Sequence, residues 1–103
     1  MTNEQVVKRF LDHKSGNGGS LNSCGDRLRS YNAEVAAWAH DLNGHEFLAL
    51  SNRTATLGGG SYSQTTSTHI GLAYRMALAA GYTIQLYDGW ITSGKTTGDL
   101  IKA

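Results

Sequence analysis

Gly89-Trp90-Ile91-Thr92-Ser93-Gly94-Lys95-Thr96 spells G-x-x-x-x-G-K-[ST], the pattern of a phosphate-binding loop. In such a loop backbone N–H groups cradle the phosphates, the lysine reaches the β- and γ-phosphates, and the hydroxyl holds Mg²⁺. The chemistry requires a strand before the loop and a helix opening after it. A strand is expected before Gly89. Only Thr97–Ala103 follow, Gly98 weakens a helix there, and no later strand ends in an aspartate for the metal. The segment therefore reads first as a Gly-flanked turn with an exposed Lys95. A nucleotide-binding protein using Gly89–Thr96 stands as an alternative.

Cys24 and the histidines at 13, 40, 45 and 69 are the other groups able to bind metal or act as nucleophile and base. They show no C-x₂-C or H-x₃-H spacing, and a zinc site needs about four ligands in a tetrahedron. A Cys24–His69 pair with Asp26 has no local support either. The reading is a loop cysteine and surface histidines, with no metal site, cofactor or catalytic residue expected. The run Ser61–His69 is dense in hydroxyls and reads as ordinary helix capping.

Arg27, Arg29, Tyr31 and Arg53 form the more promising constellation. If Arg29 and Tyr31 share a strand face with Arg53, they make a cationic, aromatic patch on which a partner or a single-stranded nucleic acid can stack and pair. Trp and Tyr are common interface anchors. Trp38, Trp90, Tyr62, Tyr82 and Tyr87 are therefore divided between core and surface, with Trp90 and Lys95 assigned to the partner-binding set alongside the arginines and Tyr31.

Composition narrows the classes. The 103 residues are 40 % hydrophobic and 17 % charged, below the roughly 25 % usual for charge. Net charge is +1 and the pI near 7.9. A dedicated duplex-DNA binder usually shows a basic face and a pI above about 9. A lone cysteine suits a reducing compartment. The first residues lack the basic and apolar segments of a secretory signal, and no apolar run approaches the roughly 20 residues of a membrane span. With no composition shift, residues 1–103 are read as a single domain located in the cytoplasm, with no membrane partner.

The elements that must position these groups follow from periodicity. Residues 3–14 read as a helix capped by Asn3, with Val6, Val7, Phe10 and Leu11 on one face. Residues 15–25 read as a flexible loop. Extended pieces are expected at 27–32 and 34–39, with helix competing over 32–39 because of its alanines. This reading places Leu28, Ser30, Asn32 and Glu34 on one strand face and Arg29, Tyr31 and Val35 on the other. Asp41-Leu42-Asn43-Gly44 is a turn. Residues 46–50 and 53–57 are read as a hairpin. A central helix is expected over 67–80, capped by Thr66 or Ser67 and closed by Gly81. Alternation over 82–87 predicts a half-buried strand, turned by Asp88-Gly89, with residues 90–92 pairing back. The sum is an α+β fold, a small, mostly antiparallel sheet of three to five strands on one central helix plus an N-terminal helix.

The segment Gly25-Asp26-Arg27-Leu28-Arg29-Ser30-Tyr31-Asn32, followed by Val35-Ala36, resembles a class of small uncharacterised phage-encoded proteins. These carry a Gly-Asp-x-Leu-x-Ser-Tyr-Asn segment and, further on, a Thr-Thr-Ser-x-His helix start, here Thr65-Thr66-Ser67-Thr68-His69. The resemblance covers about half the chain and stops before Tyr82. It implies a phage accessory protein acting in the cytoplasm of the infected host cell, and it carries over no catalytic residue. The expectation is a non-catalytic binding protein that inhibits a host factor, a host protein or ribonucleoprotein such as a CRISPR-like defence complex. A nucleic-acid-binding module using the arginine/tyrosine face is the alternative. A homodimer through an exposed strand edge is a further expectation.

Overall fold

The computed structural model describes residues 1–54, 57, 58, 60, 63–89 and 91. Their order is α1 (Asn3–Leu11), β1 (Ser15–Asn17), β2 (Leu21–Cys24), β3 (Arg27–Ser30), β4 (Ala33–His40), β5 (Glu46–Ser51), α2 (Gln64–Ala79) and β6 (Ile84–Tyr87). The strands form one six-stranded sheet in the order β1-β2-β3-β4-β5-β6. The first four pairings are antiparallel and β5–β6 is parallel. Parallel neighbours need a long crossover, and α2 supplies it. The α+β class holds, with six strands among the described residues rather than three to five, and with one parallel pairing in the sheet expected to be mostly antiparallel.

Helix α1 is shorter at its C-terminal end than its apolar pattern suggested, and Thr2 rather than Asn3 is its cap. Thr2 Oγ1 accepts from Gln5 N, and Gln5 Oε1 accepts from Thr2 N, a reciprocal capping box. At the other end Lys14 N donates to Arg9 O at 2.7 Å and His13 N to Phe10 O at 3.0 Å. That Schellman pattern places His13 in the left-handed region at φ 61°, where glycine is usual. The chain then enters β1 at once. Residues 15–24, expected as a loop, therefore form a hairpin that adds two strands to the sheet. Their polar, glycine-rich composition hid them.

The extended piece expected at 34–39 is strand β4, and helix competed there because an alanine-rich strand buried on both faces shows no polar alternation. Towards the helices, Leu21, Leu28, Val35, Ala36, Trp38, Leu48 and Leu50 pack with Val6, Val7, Phe10 and Leu11 of α1 and Ile70, Ala73 and Ala77 of α2. On the opposite face Ala37, Ala39, Phe47 and Ala49 pack with Tyr87 and Ile91. Small alanines let both layers approach β4 closely.

Arg53, Thr54 and Leu57 lie in no strand, so the expected hairpin of 46–50 with 53–57 does not form. Strand β5 already has β4 on one side and β6 on the other. Helix α2 begins at Gln64, three residues earlier than expected. Ser63, not Thr66 or Ser67, is its cap, accepting from Thr66 N at 3.1 Å. Gly81 follows its end with φ 86°, as expected.

Trp38 docks α1 on the sheet. Its Nε1 donates to Phe10 O at 2.9 Å, and Tyr82 Oη donates to Leu11 O at 3.2 Å. Phe10 O, which already accepts from His13 N, thus takes a second bond, and the Leu11 carbonyl at the helix end is satisfied by the tyrosine hydroxyl. The rings of Phe10 and His13 stack on the indole at 5.4 and 4.6 Å, and Tyr82 meets it edge-on at 5.0 Å.

The β3–β4 register carries one irregularity. Leu28 opposes Ala36 and Arg29 opposes Glu34, so Val35 is an extra residue, a β-bulge. Deleting Val35 is expected to restore a regular register with Glu34 still opposite Arg29, because the pairs Leu28–Ala36 and Arg29–Glu34 then follow one another without an extra residue. Urea unfolding of Val35→Ala should show a loss of about 2 kcal/mol from lost burial. The deletion should cost a similar amount, because it removes the same buried side chain while Glu34 keeps its arginine partners.

Candidate partner-binding face

The bulge decides which side chains meet. Without it, Glu34 would share a face with Ala36 and Trp38, as the regular alternation of the sequence reading had it. With it, Glu34 turns to the face that carries Arg27 and Arg29. Arg29 Nη2 lies 3.1 Å from Glu34 Oε1, and Arg27 Nη1 lies 3.7 Å from Glu34 Oε2. Glu34 is buried, the Arg27 side chain is 19 % exposed and the Arg29 side chain 52 %. The arginine pair is therefore partly neutralised from within. Register partners extend this row across four strands, Asn17 to Asn22 to Arg29 to Glu34. Asn22 Oδ1 is buried with no hydrogen-bond partner among the described residues.

Tyr31 lies beyond the end of β3 and takes the first position of the two-residue turn Tyr31-Asn32. Its φ is 54°, and 59 % of its surface is exposed. The preceding hairpin places Gly25, φ 101°, at the equivalent position. Tyrosine there carries strain that glycine avoids. Tyr31 N donates to Ser20 O at 2.8 Å, which ties this turn to the β1–β2 turn.

Arg53 does not share a strand face with Arg29 and Tyr31, as the sequence reading required. It follows β5, where Ser67 Oγ donates to its carbonyl at 3.4 Å and its guanidinium approaches Gly89. The β4–β5 register brings residue 52 level with Glu34, so Arg53 emerges at the same end of the sheet. Trp90 and Lys95, the other two expected partner-binding residues, lie outside the described residues, as do Tyr62 and the tail from 92.

The phosphate-loop pattern is described only at Gly89 and Ile91. Gly89 N donates to Asn52 Oδ1 at 3.4 Å and Ile91 N to Glu34 O at 2.9 Å. Both N–H groups are thus spent on protein acceptors. Cys24 is exposed, and its thiol faces Asp26 Oδ1 at 3.3 Å. His69 is on the opposite side of the sheet, so no Cys–His pair assembles. Among the described residues no cluster of three or more His, Cys, Asp or Glu side chains could hold a metal ion. Among the described residues no helix is long and apolar enough to cross a membrane.

His69 is not a surface histidine, as expected, but is 1 % exposed. Ser30 Oγ lies 2.7 Å from its Nδ1 and 3.1 Å from Thr66 Oγ1. These buried hydroxyls satisfy the ring and stitch the first turns of α2 to β3. The sequence did contain both ends of this bond, but nothing local linked positions 30 and 69.

No protein family, curated protein or solved structure matches the chain.

Two outcomes test this arrangement. Replacing Glu34 by Gln should cost about 2–3 kcal/mol in urea unfolding, less than a fully buried pair because Arg29 keeps half its side chain in water. Burial pushes the His69 imidazole below its ordinary value of 6.5. Above pH 6.5 both folded and unfolded chains hold it neutral. As pH falls below 6.5 the unfolded chain takes up the proton first, so stability is lost towards the lower, folded pKa. Melting temperature measured from pH 7.5 to 5 should fall less steeply for His69→Gln than for the native chain.

Proposed function

We propose that this chain is a non-catalytic binding protein of phage origin that inhibits a host factor through the surface around Arg29 and Tyr31. The observation that carries this reading is Tyr31, a large aromatic held half-exposed in a backbone conformation that favours glycine. Strain retained at an exposed position is a mark of functional demand rather than packing. Arg29 beside it is held at one end by Glu34 and open to solvent at the other. An aromatic and an arginine together are the usual anchors of a protein interface.

The same arginines favour a nucleic-acid partner less, because Glu34 offsets the charge that would attract phosphate. A host-defence complex is the partner class suggested by the resemblance of residues 25–36 and 65–69 to small phage proteins.

The test compares the native chain with Tyr31→Gly and Arg29→Gln in capture from host lysate, with and without nuclease. A stoichiometric protein partner that survives nuclease and is lost by both variants is expected. Tyr31→Gly should at the same time raise the melting temperature by a few degrees, since relief of roughly 1 kcal/mol of strain outweighs added unfolded-chain freedom. Partner retention by both variants would place the binding surface elsewhere. A partner lost on nuclease treatment would identify nucleic acid instead.

A further inference from the structure

Strand β1 is one edge of the sheet, and among the described residues it pairs with β2 alone. Gly18 N donates to Leu21 O at 2.9 Å, closing the β1–β2 hairpin. Antiparallel pairing alternates along a strand, so Gly16 turns its backbone groups to β2, and Ser15 and Asn17 turn theirs outward. The edge thus presents the N–H and C=O groups of two residues to an incoming strand.

Helix α1 roofs this edge. A Cβ on Gly16 would stand 3.1 Å from Met1 Sδ and 3.3 Å from Arg9 Cγ, so the stem of Arg9 lies directly over β1. Beside it opens a cavity of about 460 Å³ lined by Met1, Gln5, Lys8, Arg9, Asp12 and Lys14. Three of these side chains are cationic and one is anionic. Asp12 is itself met by Lys8 at 3.7 Å, with both side chains largely in water. The groove therefore carries a net positive charge, and its lining residues Met1 and Arg9 join it to the strand edge at Gly16.

We propose that β1 accepts an extended acidic peptide segment of a protein partner as a seventh strand. Main-chain groups of the peptide pair with Ser15 and Asn17, and its carboxylates meet Lys8, Arg9 and Lys14. Strand addition draws affinity from the main chain and selectivity from alternate side chains. The charge selects the occupant. A second copy of this chain would set Arg9 and Lys14 against their own counterparts, and like charges across a new edge oppose pairing. This surface is separate from the Arg29–Tyr31 surface and has its own partner chemistry.

The probe is a fluorescent ten-residue peptide alternating glutamate with threonine and valine, titrated onto the full chain by anisotropy. Saturable binding is expected, with amide NMR shifts at Ser15 and Asn17. Lys8→Glu with Lys14→Glu should weaken it by about tenfold or more. Ser15→Pro removes an outward N–H without touching the β2 ladder and should abolish binding. The double charge variant decides the matter if Ser15→Pro fails to fold. Tyr31→Gly should leave peptide binding unchanged, so this test stands apart from the one above. Equal binding of an N-methylated peptide would show charge attraction without strand pairing and overturn the proposal. Equal binding of a lysine-containing analogue, or none at millimolar peptide, would do the same. So would a dimer in sedimentation that Ser15→Pro dissolves, because the edge would then belong to a second copy.

Discussion

The carboxylate of Glu34 is the point on which the polar half of the sheet depends. It is buried between two arginines, and desolvating a charge is tolerated only when opposite charges stand close. The bulge at Val35 creates that closeness by turning one residue of β4 from the helix side to the arginine side. The same residue also receives the chain after β6, because Ile91 N donates to its carbonyl. One backbone irregularity thus sets the charge of the surface, the direction of Arg29 and the landing point of the chain beyond the last strand.

The apolar half depends on a different device. Trp38 takes the carbonyl of Phe10, stacks on Phe10 and His13, and meets Tyr82, whose hydroxyl takes the carbonyl of Leu11. The end of α1, the middle of β4 and the approach to β6 are locked by that single indole. His13 is drawn into the left-handed C′ position, and its Nε2 reaches Glu46 Oε2 at 2.8 Å. The backbone strain at His13 is therefore matched by visible contacts. At Tyr31, the other non-glycine residue of positive φ among those described, the ring has no such return and stands in solvent.

What the sequence disclosed, and what it hid, divides along the range of the interactions. Helix α1 and helix α2 carry their own periodicity, so Val6 to Leu11 and Ile70 to Ala77 could be read locally; strand β6 was found too, but it starts at Ile84 and buries Tyr87 while Leu86 is exposed, against the expected alternation. Arg29 and Tyr31 were legible as candidates because charged and aromatic residues alternate there. Glu34 was not, because a bulge shifts the alternation and leaves no mark in residue type. Over β4 helix competed with the extended reading because alanines suit both, and only burial on two faces decides. The hairpin expected at 53–57 failed for a topological reason. Arg53 to Leu57 has strand-like residues, but the open side of β5 goes to β6 after a helical crossover, and no local pattern reports which strand arrives there. The short strands β1 and β2 are polar and glycine-rich, and they form because neighbours supply the ladder.

These two halves also explain how a small chain can hold a demanding surface. The apolar layer under the helices, anchored by Trp38 and closed by the buried Ser30–His69–Thr66 bonds, stabilises the scaffold without involving the exposed face. That leaves the turn at Tyr31 and the polar row from Asn17 to Glu34 free to retain an unsatisfied acceptor and a strained residue. A surface group that weakens the fold persists only where something other than folding requires it. In this molecule such groups gather on β2, β3 and the turn after β3, and the polar row of the strands faces away from the helices.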